Sequence, residues 1–487
     1  MYNKNFINQC FKNLDQKKIF FKYFNEEKNY SDLKNFFFKF KNKIDNERLK
    51  IVTFSDKSFE MYATIASIFL SNNIWIPLST NLPNNRLMDI LKMSGAQLII
   101  LENNSQILKN KTLNKFIKKN KIDILFYNQI KNSKKKLFTK KIIPRFNYDE
   151  VSMIYFTSGS TGNPKGVPLT YNNFINCFKS KEKILYKKCK NLIFGDYHDP
   201  SFVISLVIFF PCFFLGSTIS PSRNIFETLN PSNHIEKNKV NVLITVPSTI
   251  SRIKESKESA KKLKKLSKIV MCGEPFRLSI AKFIIEKIKP KELYNFYGST
   301  EVAPWIFFHK LKIKDLKNYE KFDLVPVGRP LNNVKVKIEN NELIVSGPVV
   351  SSGYLDPKQN KDIFIKSQNT IWYKTKDQVV IYKNKYFVKG RIDKVVKLHG
   401  YRVDLGDIEI NIRKLKDIEE AIVYLKKRKG KKILSCALKT QANINQIYFI
   451  NYLSKKLPNY MIPQNIRFYK KFPLNRSGKI DRKKIMI

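Results

Sequence analysis

The stretch richest in chemistry is Tyr155-Phe156-Thr157-Ser158-Gly159-Ser160-Thr161-Gly162-Asn163-Pro164-Lys165-Gly166. Glycines, hydroxyl side chains and a lysine follow an apolar run, residues 151–156, that reads as a strand. Glycine lets the backbone close on an anion and turn its N–H groups inward. The hydroxyls add donors and Lys165 a positive charge. Such a loop suits a polyphosphate; the same composition also suits a polar surface turn. It is not a Walker P-loop, because the G-x-x-x-x-G-K-[ST] spacing is absent.

This segment resembles the phosphate loop of the adenylate-forming superfamily, which includes acyl-CoA synthetases, luciferases and the adenylation domains of peptide synthetases. The companion motifs follow in the family's order. Asn295-Phe296-Tyr297-Gly298-Ser299-Thr300-Glu301 resembles the second nucleotide motif. There the resemblance implies an aromatic on adenine, Thr300 on the α-phosphate and Glu301 as a Mg²⁺ ligand; Tyr297 has the flat face and Glu301 the hard oxygen those roles need. Gly273-Glu274-Pro275 looks like the adenine-side loop, and Asp377 matches the acceptor of both ribose hydroxyls. One departure is Lys376, where the family has Gly; if that position needs φ > 0, the lysine costs stability.

Gly390-Arg391-Ile392-Asp393 resembles the hinge, with Arg391 on ribose or phosphate and Asp393 as pivot. The next segment, with Lys397, His399, Gly400 and Arg402, resembles the loop that enters the site for thioester formation. Asp404 and Asp407 stand downstream where Glu is common, and Glu409 is retained. Pro473-Leu474-Asn475-Arg476-Ser477-Gly478-Lys479 resembles the C-terminal catalytic motif. The resemblance assigns Lys479 to the adenylation transition state, as a cation bridging the carboxylate and the α-phosphate. It implies an ATP- and Mg²⁺-dependent adenylation of a carboxylic acid, followed by a swing of the small domain and attack by a thiol.

The acid is harder to read. The run Leu457-Pro458-Asn459-Tyr460-Met461-Ile462-Pro463 is most like amino-acid adenylation enzymes and D-alanine–carrier ligases, which implies an amino acid and the phosphopantetheine of a separate carrier protein. Amino-acid activators place an Asp early in a helix; counting back from Gly216, that position falls near Val203, which cannot pair with a cation. His198 and Asp199, or Asp196, stand close by, and Val302 follows Glu301 as a further candidate for the acid pocket. Asp199-Pro200 also reads as a helix start. The alternatives are an acyl-CoA or aryl/fatty-acyl ligase, for which a His in this region speaks, and, more distantly, a non-catalytic basic binding protein.

Composition limits the rest. The formal charge is +51, from 91 Lys+Arg against 40 Asp+Glu in 487 residues. The lysines are spread along the chain, and their runs are not interleaved with aromatics, so no specific nucleic-acid site is expected. A basic surface suits an acidic protein partner. The 6 cysteines have no CxxC spacing and the 4 histidines lie apart, which fits a cytoplasmic protein with reduced thiols and no zinc cage. No signal peptide or transmembrane segment is expected; the greasiest stretch, residues 202–215, is shorter than a span needs and interrupted by Ser205 and Pro211, and reads as a buried helix.

The elements that must position these residues alternate. Strands at 51–54, 75–77 and 98–101 flank helices at 58–71 and 85–94, and the same pattern returns at 241–247, 268–272 and 279–288. That order predicts parallel sheets with crossover helices. After about Val325 short segments at 334–338, 343–345, 378–382 and 386–388 read as hairpins, with Asn384-Lys385 as a tight turn. From Ile408 a helix and strands at 420–425 and 434–438 predict a small α+β unit. The expected class is therefore α/β: a large domain of parallel and mixed sheets with flanking helices and a small barrel-like β part (1–390), then a C-terminal α+β domain (391–487) carrying Lys479.

Overall fold

The computed structural model describes residues 3–103, 105–133, 144, 146–158, 163–186, 191–368, 370–393, 395–428, 431–473 and 482–486. The chain divides into two compact units. One comprises Met1–Thr80, Ser94–Tyr155 and Gly166–Ile392; the other comprises Asn81–Met93, Phe156–Lys165 and Asp393–Ile487.

The larger unit holds three sheets. A nine-stranded sheet runs Arg329–Pro330, Phe307–Lys310, Glu292–Tyr297, Lys268–Met271, Val242–Thr245, Ile193–Asp196, Thr218–Pro221, Ile19–Tyr23, Glu26–Asn29. Neighbours from Glu292–Tyr297 to Ile19–Tyr23 are parallel. Their apolar runs, such as the fully buried VLIT and KIVM, belong to strands covered on both faces. A six-stranded sheet runs Asp123–Phe126, Leu98–Leu101, Lys50–Phe54, Ile74–Pro77, Val151–Thr157, Lys165–Thr170. Helix Phe59–Leu70, between two of its strands, starts where Ser58 Oγ accepts from Met61 N at 3.2 Å. A phenylalanine-rich core joins these layers; Phe6 stacks on Phe214 with ring centroids 4.6 Å apart.

Residues 202–215 form a 3₁₀ turn Val203–Ser205 leading into helix Leu206–Leu215, whose residues 206–213 are buried. Gly216, at φ 61°, ends that helix in a left-handed cap. Among the described residues no helix is long and apolar enough to cross a membrane.

The third sheet is antiparallel and has five strands: Lys335–Glu339, Glu342–Ser346, Phe364–Ser367, Thr370–Tyr382 and Lys385–Arg391. The stretch expected as a short strand at 378–382 is the end of the 13-residue strand Thr370–Tyr382. The tight turn is Lys383-Asn384, not Asn384-Lys385: Lys385 already pairs with Tyr382. Both turn residues have positive φ, 48° and 55°, as a two-residue hairpin turn that follows the strand twist requires.

In the smaller unit, the hairpin Val395–Leu398/Tyr401–Asp404 is followed by helix Leu405–Arg413. The strands Glu420–Arg428, Lys431–Lys439 and Asn465–Tyr469 form a sheet, and helix Gln446–Ser454 completes the α+β arrangement. Ile408, Ile412, Leu434, Leu438, Phe449 and Leu453 fill its core.

Candidate active site

In the larger unit the second nucleotide motif lies at the carboxyl end of strand Glu292–Tyr297, beside the end of strand Lys268–Met271, where parallel sheets bind ligands. Tyr297 donates a short hydrogen bond to Asp377 Oδ2, and Arg391 donates to Asp377 Oδ1 at 3.2 Å and to Thr375 O at 3.0 Å. Asp377 and Arg391 are direct partners on adjacent strands. Both carboxylate oxygens thus hold one donor each and have lone pairs for another. The structure therefore brings Tyr297, Asp377 and Arg391 into one cluster. Burial first, then the Asp377 charge, raises the Tyr297 phenol well above its usual pKa, so it stays a donor.

Lys376 is left-handed at φ 60°. Glu342 Oε1 accepts from its backbone N at 3.0 Å and lies 3.6 Å from its Nζ, holding a conformation that glycine adopts without cost.

Glu301 is fully buried, and its Oε1 accepts from Tyr354 OH at 2.9 Å. Thr300 precedes it in the 3₁₀ turn Thr300–Val302, with Val302 buried. Among the described residues Ser299 Oγ is buried with no hydrogen-bond partner. Gly298 is obligatory, since a Cβ there would lie 1.9 Å from Pro304 O. Other motif residues serve the frame. Asn295 donates to Val325 O and Pro326 O, and Phe296 packs on Trp305 at 4.5 Å. Gly273, at φ 78°, turns the chain so that the Glu274 carboxylate, ahead of Pro275, accepts from Ser248 N and Oγ at the start of helix Pro247–Lys254.

The loop expected on the acid side begins at the carboxyl end of the interior strand Ile193–Asp196. Asp196 is buried and paired with half-buried Lys57, whose Nζ lies 3.5 Å from Oδ1 and donates to Asp196 O at 2.9 Å; Tyr62 donates to Oδ2. His198 Nε2 lies 3.1 Å from Ile244 O, and burial pushes its pKa down to about 4, so the ring is neutral at pH 7. Asp199 accepts from Ser201 N and Oγ at 2.9 and 2.7 Å and from Ser79 Oγ at 2.6 Å. It opens a turn, Phe202 N bonding back to Asp199 O, and not the helix itself. Val203 packs against the apolar core. A groove of about 550 Å³ elsewhere in this unit, lined by Asp149, Thr170, Asn333 and Lys335, contains none of these residues.

In the smaller unit, Ser158 Oγ donates to Arg402 O and accepts from Asp404 N, both at 3.1 Å. Among the described residues Thr157 Oγ1 is buried without a partner. Lys165 is close enough to Asp404 to act on its charge. His399 and Gly400, at φ 51° and 85°, form the two-residue turn between the hairpin strands that carry Lys397 and Arg402. Below it, Tyr401 stacks on Tyr460 of the LPNYMIP run at 4.1 Å. Asp393 Oδ1 accepts from Val395 N. The carboxylates downstream are structural. Asp404 caps helix Leu405–Arg413, Asp407 is clamped by Arg86, and Glu409 accepts from Val423 N. Gly159, Ser160, Thr161, Gly162 and Lys479 lie outside the described residues.

Sequence reasoning missed Lys57, Tyr62, Ser79, Arg86 and Tyr354. Each meets its partner across a long sequence separation, so no local spacing announces the pair. The one available signal was the polar run Ser55-Asp56-Lys57-Ser58 set between two apolar elements.

A sequence model described as AMP-binding enzyme matches residues 44–355. The D-alanine–D-alanyl carrier protein ligase of Staphylococcus epidermidis is 26% identical over 478 residues, covering 95% of this chain and 94% of its own. The adenylation domain AlmE of Vibrio cholerae, solved with glycyl-adenosine-5′-phosphate, superposes with a TM-score of 0.83 at 17% identity over 99% of this chain and 97% of its own. o-Succinylbenzoate CoA synthetase of Bacillus subtilis gives 0.82 at 18% identity over 98% of each chain. At those identities the two structures speak for the fold: a large N-terminal and a small C-terminal domain. With the family model matching well over half of its length, the chain belongs to the AMP-binding enzyme family and is an adenylate-forming ligase.

Proposed function

We propose that this ligase activates an amino acid as aminoacyl-AMP, with release of pyrophosphate, and passes it to the phosphopantetheine thiol of a separate carrier protein. The observation that carries the amino-acid reading is the charge of the acid-side loop. Lys57 answers Asp196, His198 is neutral, and Asp199 is held by hydroxyls and one N–H, with no ion pair among the described residues. The loop therefore retains a negative charge that a substrate ammonium would balance. The curated relatives named as D-alanyl carrier protein ligases support the carrier, and the net charge of +51 suits an acidic one.

Asp377 would take the ribose hydroxyls on its remaining lone pairs, with Arg391 and Tyr297 fixing its orientation. Thr300 and the 157–165 loop would hold phosphates. Glu301 is a single buried hard oxygen donor, which fits Mg²⁺ bound chiefly through nucleotide phosphates; such an ion would neutralise phosphate charge. A substrate carboxylate oxygen attacks the α-phosphorus, the P–O bond to pyrophosphate breaks, and Lys479 would meet the charge that builds. We assign ATP and acid binding to residues 1–390. The chain beyond Asp393 would rotate about that residue to bring Lys397, His399, Gly400 and Arg402 to the thioester step. The protein would act in the cytoplasm, where ATP is supplied; the described cysteines are free.

Val203, apolar where amino-acid activators carry Asp, favours a second reading as an acyl-CoA or aryl/fatty-acyl ligase. Substrate-dependent ATP–pyrophosphate exchange across amino acids, D-alanine and glycine included, and a panel of fatty and aromatic acids separates the two. The proposal expects exchange with an amino acid, and a rise of at least about tenfold in its KM for Asp199→Asn. Exchange confined to acids without an amino group would overturn it.

A further inference from the structure

We infer that Lys57 and Asp196 form a positioning pair for the substrate's amino group: Lys57 neutralises Asp196 and fixes the loop so that Asp199 alone presents charge to the ligand. The inference rests on the amino-acid reading above and adds to it residues that no motif contains.

The geometry is that of a knot. Asp196 ends an interior strand of the nine-stranded sheet, between parallel neighbours Val242–Thr245 and Thr218–Pro221. Three segments converge on it. From the segment after strand Lys50–Phe54 comes Lys57, bonded to both the carbonyl and the carboxylate of Asp196. From helix Phe59–Leu70 comes the Tyr62 hydroxyl. After strand Thr218–Pro221, Ser222 N donates to Asp196 O at 2.9 Å and Arg223 Nε donates to Lys57 O at 3.2 Å. The loop itself closes the set, with His198 N donating to Asp196 Oδ1 at 3.2 Å.

Lys57 and Asp196 side chains are 9% and 1% exposed, so neither charge is answered by bulk water. Two carboxylates only three positions apart would otherwise repel and share any incoming cation. Lys57 makes its ion pair with Asp196 and acts on the Asp199 charge only without contact, so among the described residues the carboxylate with no ion pair of its own is Asp199, at the carboxyl end of the parallel strands where ligands bind. A rigid root on one side and hydroxyl donors from Ser79 and Ser201 on the other leave the Asp199 carboxylate with one orientation.

The test is Lys57→Met in the full-length enzyme, read by ATP–pyrophosphate exchange with the wild type's preferred amino acid and with its des-amino analogue. The expected result is a KM for the amino acid raised at least about tenfold, a KM for ATP within about twofold, and weaker discrimination against the des-amino acid. Lys57→Arg should recover most of the discrimination. If Lys57→Met does not fold, Tyr62→Phe, which removes one donor to Asp196 at constant ring size, is read the same way, with a smaller rise of about threefold. An unchanged amino-acid KM in folded protein, or equal rises for ATP and amino acid, overturns the inference. If Asp199→Asn raises the amino-acid KM while Lys57→Met and Tyr62→Phe do not, only the positioning pair is wrong. If the wild type exchanges with no amino acid, the underlying reading falls and the inference with it.

Discussion

Arg86 and Asp407, 321 positions apart, form a two-pronged ion pair at 2.7 and 3.3 Å, with side-chain exposures of 7% and 0%. The pair fixes helix Asn84–Ser94 to helix Leu405–Arg413 within the smaller unit, and Asn411 adds a bond to the same carboxylate. Removing one member strands a buried charge. Arg86→Ala should therefore cost about 3–5 kcal/mol. The double variant Arg86→Met/Asp407→Leu should recover much of the loss. Urea unfolding of the three proteins checks both statements, and equal stabilities for the single and double variants would contradict them.

Tyr297 and Asp377 give a prediction about nucleotide binding. Tyr297→Phe keeps the ring and deletes one donor to the carboxylate, which should weaken ATP binding by about 1–2 kcal/mol, a five- to thirtyfold rise in KM. Asp377→Asn should cost more, since an amide cannot accept from a diol and Arg391 with both oxygens. The amino-acid KM should stay near the wild-type value in each. ATP titrations in the exchange assay decide the matter.

Backbone strain at Lys376 predicts an asymmetric tolerance. Lys376→Gly relieves the left-handed φ but gives up the Glu342 contact and adds freedom to the unfolded chain, so its stability should change by less than about 1 kcal/mol. Lys376→Val, β-branched at the same φ, should lose on the order of 2 kcal/mol. Thermal melts separate these outcomes.

Three buried histidines set a dependence on pH. Burial pushes His198, His234 and His309 from 6.5 to about 4. Between those values the unfolded chain binds protons that the folded one refuses, so stability falls as pH falls through 6.5 and the loss is complete near 4. Each histidine should contribute about 2 kcal/mol of destabilisation between pH 7 and 5. Urea midpoints at pH 7, 6 and 5 should drop in sequence; a flat series would show that these rings charge without penalty.

How far the sequence revealed the molecule depends on whether a feature is local. Helix Phe59–Leu70 was legible because its start signal, Ser58, and its apolar run are contiguous. The strands of the parallel sheets were legible because burial on both faces leaves uninterrupted apolar runs. The turn at Lys383-Asn384 was misplaced by one position because lysine does not advertise positive φ. Motif residues could be ranked by their resemblance to a family, yet their partners could not. Tyr354 beneath Glu301, Arg86 beside Asp407 and Lys57 beside Asp196 are products of the tertiary fold alone. Glu274, read as part of an adenine loop, turned out to accept from Ser248 at a helix start, a contact no spacing rule contains.

The two-residue turn at His399 and Gly400 has a consequence for the thiol-transfer step proposed above. Both residues already sit at the positive φ that such a turn demands, and four cross-strand pairs from Val395–Asp404 to Leu398–Tyr401 set the register behind them. The hairpin is thus pre-folded, and its tip has little conformational entropy left to lose. Whatever brings Lys397 and Arg402 to a thiol would carry them as a stiff finger, and the free energy of that approach would go into displacement instead of ordering.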